Sequence, residues 1–167
     1  YLVFGILCAV LHANQTGQGQ VVDGSIVDGT ANLMAMMYSM FNFNQWEDRR
    51  DINLLDGGAP FYTTYKTSDS RHISVGAIED KFYLEFITKL DLKLDELPSR
   101  ADKSNWPKLK DIFQEIIKTK TMREWEEIYY GTDACVAPVL NFEEAFIDPH
   151  NKYREIFPKA FNIIQPK

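Results

Sequence analysis

The sequence predicts a mixed architecture, α/β grading into α+β: helices with one short strand in the first part of the chain, then a small α+β domain. Two observations carry most of this. A run rich in β-branched and aromatic residues between Phe61 and Val75 is interrupted by Ser68-Asp69-Ser70, which is turn chemistry between two strands. Around it lie segments whose apolar residues recur at helical spacing, several of them opened by recognisable caps.

In chain order, Tyr1 to Asn14 reads as a mostly buried helix, and Gly17 and Gly19 supply the residues suited to ending it. Gln20-Val21-Val22-Asp23 is expected as a short strand. From Asp28 to Phe43 the apolar positions Ala31, Leu33, Met34, Met37, Tyr38, Met40 and Phe41 predict one helix with a wide apolar face. The charged stretch Trp46 to Leu55, closing on Asp56-Gly57-Gly58-Ala59-Pro60, is expected as a linker. The organisation predicted is therefore residues 1–45 as part of a first domain, 46–55 as linker, 56–155 as the small α+β domain and 156–167 as a second linker returning toward the first.

Within the small domain, Phe61 to Thr67 and Arg71 to Val75 predict a hairpin. Glu79 to Leu90 predicts a helix with Phe82, Phe86, Ile87 and Leu90 inward. Pro107 suits the first turn of a helix bearing Leu109, Ile112, Phe113 and Ile116. Thr121 with Glu124, and Asn141 with Glu144, have the spacing of capping boxes. Between those two helices Cys135 to Leu140 is expected as a strand.

Composition narrows the functional classes. The chain has 167 residues, 45% hydrophobic and 25% charged, with a formal charge of −6. That charge gives no electrostatic reason to gather polyanions, and no basic run interleaved with aromatics offers a nucleic-acid groove, so no nucleic-acid partner is expected. Two cysteines, Cys8 and Cys135, are too few for a disulfide framework and fit a reducing, intracellular compartment. The apolar start is too short to span a bilayer and lacks a basic leader; it reads as a helix cut at its front.

Four segments point to a family. They are Thr16-Gly17-Gln18-Gly19-Gln20-Val21-Val22-Asp23-Gly24-Ser25; Leu55-Asp56-Gly57-Gly58-Ala59-Pro60-Phe61-Tyr62-Thr63-Thr64-Tyr65; Val75-Gly76-Ala77-Ile78-Glu79; and Gly131-Thr132-Asp133-Ala134-Cys135-Val136-Ala137-Pro138-Val139. In this order and at this spacing they resemble α-methylacyl-CoA racemases of the family III CoA-transferase superfamily. The resemblance implies a large Rossmann-like domain, represented here by its helices and short strand, followed by the small domain. It also implies a homodimer of interlocked subunits whose cleft lies between the large domain of one and the small domain of the other. The implied substrates are 2-methylacyl-CoA thioesters, among them fatty acyl and bile-acid-intermediate esters, with no separate cofactor and no metal. Peroxisomes and mitochondria are the implied compartments, although the terminal Gln165-Pro166-Lys167 is no peroxisomal address.

The resemblance assigns Glu79 as one of two proton-transferring groups, the other being a histidine with an aspartate outside this sequence, as are most CoA-binding basic residues. Inverting a carbon beside a thioester means removing its α-proton from one face and returning one to the other, and two positioned bases suit that task. A carboxylate at a helix N-terminus can equally be there for the helix dipole. Tyr62 is expected to face the cleft near the thioester, Ile78 beside it. Met36, Met37 and Met40, with Met34, could offer a yielding apolar surface to a branched acyl chain or simply pack a helix. His12, His72 and His150 are expected as structural residues and Cys135 as core. Two departures from the family's pattern stand out: Ser70 where a turn glycine is usual, and Asp80-Lys81 where Pro-Gln commonly follows the glutamate. Two other readings stay open: a family III CoA-transferase, which would use an aspartate nucleophile and a glycine-rich loop, and a non-catalytic truncated dimerisation module.

Overall fold

The computed structural model describes residues 1–157. The chain divides between Arg49 and Arg50 into two compact units.

The first unit holds three helices, α1 (Leu2–Thr16), α2 (Ile26–Leu33) and α3 (Ala35–Asn42), and none of the three has a buried residue. Gly17 ends α1 in the left-handed conformation, φ 74°, with its amide donating to the Ala13 carbonyl, the role a glycine performs without a Cβ clash. The Tyr1 hydroxyl donates to Asn32 Oδ1 at 2.6 Å, tying the start of α1 to α2.

Three expectations are corrected in this unit. The helix expected to be mostly buried over 1–14 has no buried residue, its apolar side chains being exposed along its length. Residues 20–23 form no strand; Val21 is 95% exposed, and a strand without a neighbour leaves its backbone groups unpaired, so two adjacent valines are not enough. The single helix expected over 28–43 begins earlier, at Ile26, and is two helices. Met34 joins them with φ −83° and ψ 1°, rotating the peptide out of the helical well at the end of a segment containing Gly29, Thr30 and Asn32, all poor helix formers.

The second unit is a three-stranded antiparallel sheet covered by helices. Its strands are β1 (Tyr62–Lys66), β2 (His72–Gly76) and β3 (Val136–Pro138), in the spatial order β1-β2-β3. Tyr62 lies opposite Gly76 and Lys66 opposite His72; Val75 lies opposite Val136. The turn between β1 and β2 is pinned by Asp69, whose carboxylate accepts from the Thr67 hydroxyl and the amides of Arg71 and Met122. Tyr65, Ile73 and Val75 point to the buried face, the alternation a one-sided sheet requires.

On that face pack α4 (Asp80–Lys89), α5 (Trp106–Ile117) and α6 (Met122–Tyr129). Tyr83, Phe86 and Ile87 come from α4, Leu109, Phe113 and Ile117 from α5, Trp125 and Tyr129 from α6. Their rings meet edge to face, Phe86 on Phe113 at 5.1 Å and Phe61 on Trp106 at 5.9 Å, the arrangement the ring quadrupoles favour. Two of the polar ends are satisfied by backbone carbonyls, Trp125 Nε1 by Ile117 at 2.7 Å and the Tyr129 hydroxyl by Phe86 at 3.1 Å, while the buried Tyr83 hydroxyl has no hydrogen-bond partner among the described residues. Phe82, expected inward, is only half-buried, and Tyr83 takes the central place instead.

Both expected capping boxes are present, at Thr121/Glu124 and Asn141/Glu144; the second opens α7 (Phe142–Ile147). Asp148 then caps α8 (Pro149–Tyr153) by accepting from the Asn151 amide, so the Pro-His-Asn turn is one end of a short helix. Residues 46–55 are not tether throughout. Asn53 is fully buried, and its amide and side chain donate to the Asp56 carboxylate at 2.8 and 2.7 Å. Gly58 is held so close to this loop that a Cβ there would lie 2.5 Å from the Ile52 carbonyl carbon. Of the return segment expected at 156–167, residues 158–167 lie outside the described residues.

Candidate active site

Glu79 stands where β2 has ended and α4 begins. The Gly76 amide donates to the Cys135 carbonyl at 2.9 Å and the Ile78 amide folds back on the Gly76 carbonyl at 2.9 Å, turning the chain out of the sheet. Ala77 is fully buried beneath this turn. Glu79 is then the N-cap residue of α4, extended at φ −72° and ψ 149°, with its carbonyl accepting the first helical hydrogen bond from Tyr83 at 2.9 Å. Its side chain makes no capping hydrogen bond and is exposed. An N-cap glutamate that does not cap leaves its carboxylate available for chemistry while the dipole of α4 favours its negative charge.

Arg100 braces this turn from the side. It lies between two short 3-10 turns, and its own carbonyl accepts from Trp106 Nε1 at 2.8 Å. The guanidinium donates to the Ile78 carbonyl at 2.8 Å, more weakly to the Ala77 carbonyl at 3.4 Å, and to the Asp80 carboxylate. Sequence reading gave Arg100 no role, because it sits in a polar loop about twenty residues away. The available signal was the Asp80 departure, an unexpected carboxylate that called for a cation.

Beside the turn lies an open cleft of about 600 Å³, lined among others by Asp51, Asp56, Gly57, Tyr62, Gly76 and Cys135. Tyr62 faces it at the start of β1, 37% exposed. The Asp56 carboxylate is engaged by its own loop: although burial raises its carboxyl, hydrogen bonds from Asn53, Gly58 and Ile52 hold it below the usual range.

Cys135 corrects an expectation. It is exposed rather than core, with φ 53°, and it is the Cys135 carbonyl, not the thiol, that the sheet uses. Desolvation pushes the thiol up, and the charges of Glu79 and Asp133 push it further. A thiol so placed is held protonated and is a poor nucleophile.

The other sequence-derived residues fall into two groups. Ile78 is half-buried against the core, in the same turn as Glu79. Met36, exposed, and Met37 and Met40, half-buried, lie on α3 of the first unit. His12 on α1, His72 at the start of β2 and His150 in α8 are all exposed. Among the described residues no group of three or more His, Cys, Asp or Glu could hold a metal ion, and no helix is long and apolar enough to cross a membrane.

Residues 1–162 match the model of CoA-transferase family III. The chain belongs to CoA-transferase family III. Within the family it is similar to α-methylacyl-CoA racemase of Homo sapiens, 47% identical over 153 residues, and of Mus musculus, 46% identical; both alignments cover 92% of this chain and 40% of the relative. It is less similar to formyl-CoA:oxalate CoA-transferase of Escherichia coli O157:H7, at 29% identity over 89% of the chain. The family fold is seen in the crystal structure of Rv3272 from M. tuberculosis, with a TM-score of 0.67 at 18% identity over 91% of this chain and 40% of that one. This family III chain thus spans about 40% of the length of the relatives it matches.

Proposed function

We propose that this family III chain is the part of a 2-methylacyl-CoA racemase that carries one of its two proton-transferring groups, Glu79. The reading rests on the Val75–Glu79 run: Val75 and Gly76 line a cleft, and the run ends in a carboxylate that is exposed, unspent on capping and set at a helix N-terminus. Similarity to two mammalian racemases, well above that to the transferase, supports it.

The substrate would be a 2-methyl-branched acyl-CoA ester. Thioester conjugation makes its α-proton removable, leaving an enolate. In one direction Glu79 takes that proton and a second acid, outside this chain, delivers one to the opposite face; in the other direction Glu79 is the donor. Each step moves one proton and one electron pair, and no redox cofactor is required. Tyr62 and Ile78 would border the thioester and Met36, Met37 and Met40 the acyl chain. A homodimer and a peroxisomal or mitochondrial setting belong to the same reading and rest on the similarity to racemases.

The test is solvent deuterium incorporation at the α-carbon of a 2-methylacyl-CoA by the full-length enzyme. Glu79→Gln should lower the exchange rate of the epimer whose α-proton Glu79 removes by on the order of a hundredfold or more, the usual scale for a general acid-base group, with the fold intact by circular dichroism. Near wild-type exchange would return Glu79 to the role of a helix-start residue. Transfer of CoA to an added carboxylic acid, with no α-exchange, would favour the transferase.

A further inference from the structure

We propose that Arg100 is the positioning residue of Glu79, fixing the peptide that carries it so that its carboxylate meets the α-proton at a set distance and angle. This rests on the reading of Glu79 as a proton-transferring group and extends it to a residue that no resemblance assigns. Three observations carry it.

The first is where the guanidinium donates. Its 2.8 Å bond is to the Ile78 carbonyl, the oxygen of the very peptide whose nitrogen belongs to Glu79. A charged donor on that oxygen restrains the rotation of the peptide plane and so the direction in which the Glu79 Cα–Cβ bond leaves the backbone. With the contacts to the Ala77 carbonyl and the Asp80 carboxylate, one planar fork holds groups on both sides of Glu79 and leaves its side chain untouched.

The second is that Arg100 is itself immobilised. Its guanidinium lies 4.4 Å from the ring centre of Tyr83 and 4.7 Å from that of Phe61, and Tyr83 and Phe61 are buried. With Trp106 holding its carbonyl, the tether runs from the core to the catalytic turn. Its side chain is 18% exposed, whereas that of Asp80 is fully exposed. The ion pair with Asp80 is therefore screened and weak, and the carbonyl clamp is the stronger hold.

The third is the residue after Glu79. A proline at the first helical position would preset its own φ and stiffen the start of α4. Asp80 provides no such constraint. The clamp supplies from outside the rigidity that the backbone lacks.

The test is a double-mutant cycle in the full-length enzyme, read by α-proton exchange. Arg100→Met, which keeps an unbranched apolar chain over the rings but loses every donor, should lower kcat by about tenfold to a hundredfold, the usual result of a misplaced catalytic group. KM should stay within about twofold, since no substrate contact is removed. In the Glu79→Gln background the same change should have almost no effect, because the carboxylate that the clamp positions is gone. Arg100→Lys, which keeps charge and stem but cannot fork, should lose less, and Asp80→Pro should restore part of the rate to Arg100→Met. An equal loss in both backgrounds, or a loss carried by KM alone, would show that Arg100 only supports the fold and overturn its positioning role while leaving Glu79 in place. Wild-type exchange by Glu79→Gln itself would overturn both readings together.

Discussion

Ser70 closes the β1–β2 hairpin with φ 63°, donating its amide to the Thr67 carbonyl at 3.1 Å. A residue with a Cβ pays about 1–2 kcal/mol to sit in the left-handed region, which is why glycine is the usual occupant of such a turn. Ser70→Gly removes that strain, though a glycine also loses more conformational freedom on folding, by about 0.5–1 kcal/mol. The balance favours glycine, so the variant should melt about 2–4 °C higher. Differential scanning calorimetry checks it, and an unchanged or lower midpoint would show that the turn accommodates serine without strain. The position was legible from the sequence as a departure from a motif, but its cause was not, because φ is no property of residue identity. The same holds at Cys135. Its apolar neighbours predict burial, yet a positive φ turns the side chain outward, and only the three-dimensional path shows that the carbonyl is the useful group.

At the scale of elements, the features read correctly from sequence are those whose chemistry is local. Both capping boxes, the Pro107 first turn and the Ser68-Asp69-Ser70 hairpin are complete within a few residues. The strand expected at 20–23 failed because pairing needs a partner from elsewhere, and the helix expected over 28–43 broke at Met34 because apolar spacing reports a face and not continuity. Long-range polar contacts were equally invisible. Glu144, read as a cap, also receives Arg71 through both carboxylate oxygens, joining the hairpin to α7. The Arg71 guanidinium and the Asn141 amide hold its carboxyl down at about 2, from an ordinary 4.5. A carboxyl whose folded pKa is depressed contributes its stability above pH 4.5 and loses it as pH falls toward 2. Glu144→Gln should therefore lower the urea midpoint at neutral pH and flatten its fall between those two pH values. Asp69 and Glu124 add acid sensitivity of their own, so the comparison is between variant and parent. Parallel curves would show that the pair contributes nothing.

For the whole molecule the decisive contrast is in burial. Every buried hydrophobic residue among those described lies between Ala59 and Ala134, in the second unit. The first unit leaves Phe4 at 71%, Ile26 at 85% and Leu33 at 72% exposure, beside a Tyr1 to Leu11 run with large apolar side chains uncovered along its length. Apolar surface on that scale drives association in water. The chain of 167 residues should therefore self-associate as its concentration rises, while a piece beginning at Arg50 and ending at Phe157, which keeps the whole described core, should stay monomeric and melt in one cooperative transition. Neither should invert the α-carbon of a 2-methylacyl-CoA. A single carboxylate cannot serve both faces of the carbon, and without groups to align the thioester even the available base is misplaced. Light scattering over a concentration series separates the two pieces. A 167-residue chain that remains a monodisperse monomer would show that its apolar helices are covered from within, and measurable inversion by it would mean that a second proton-transferring group lies among these residues.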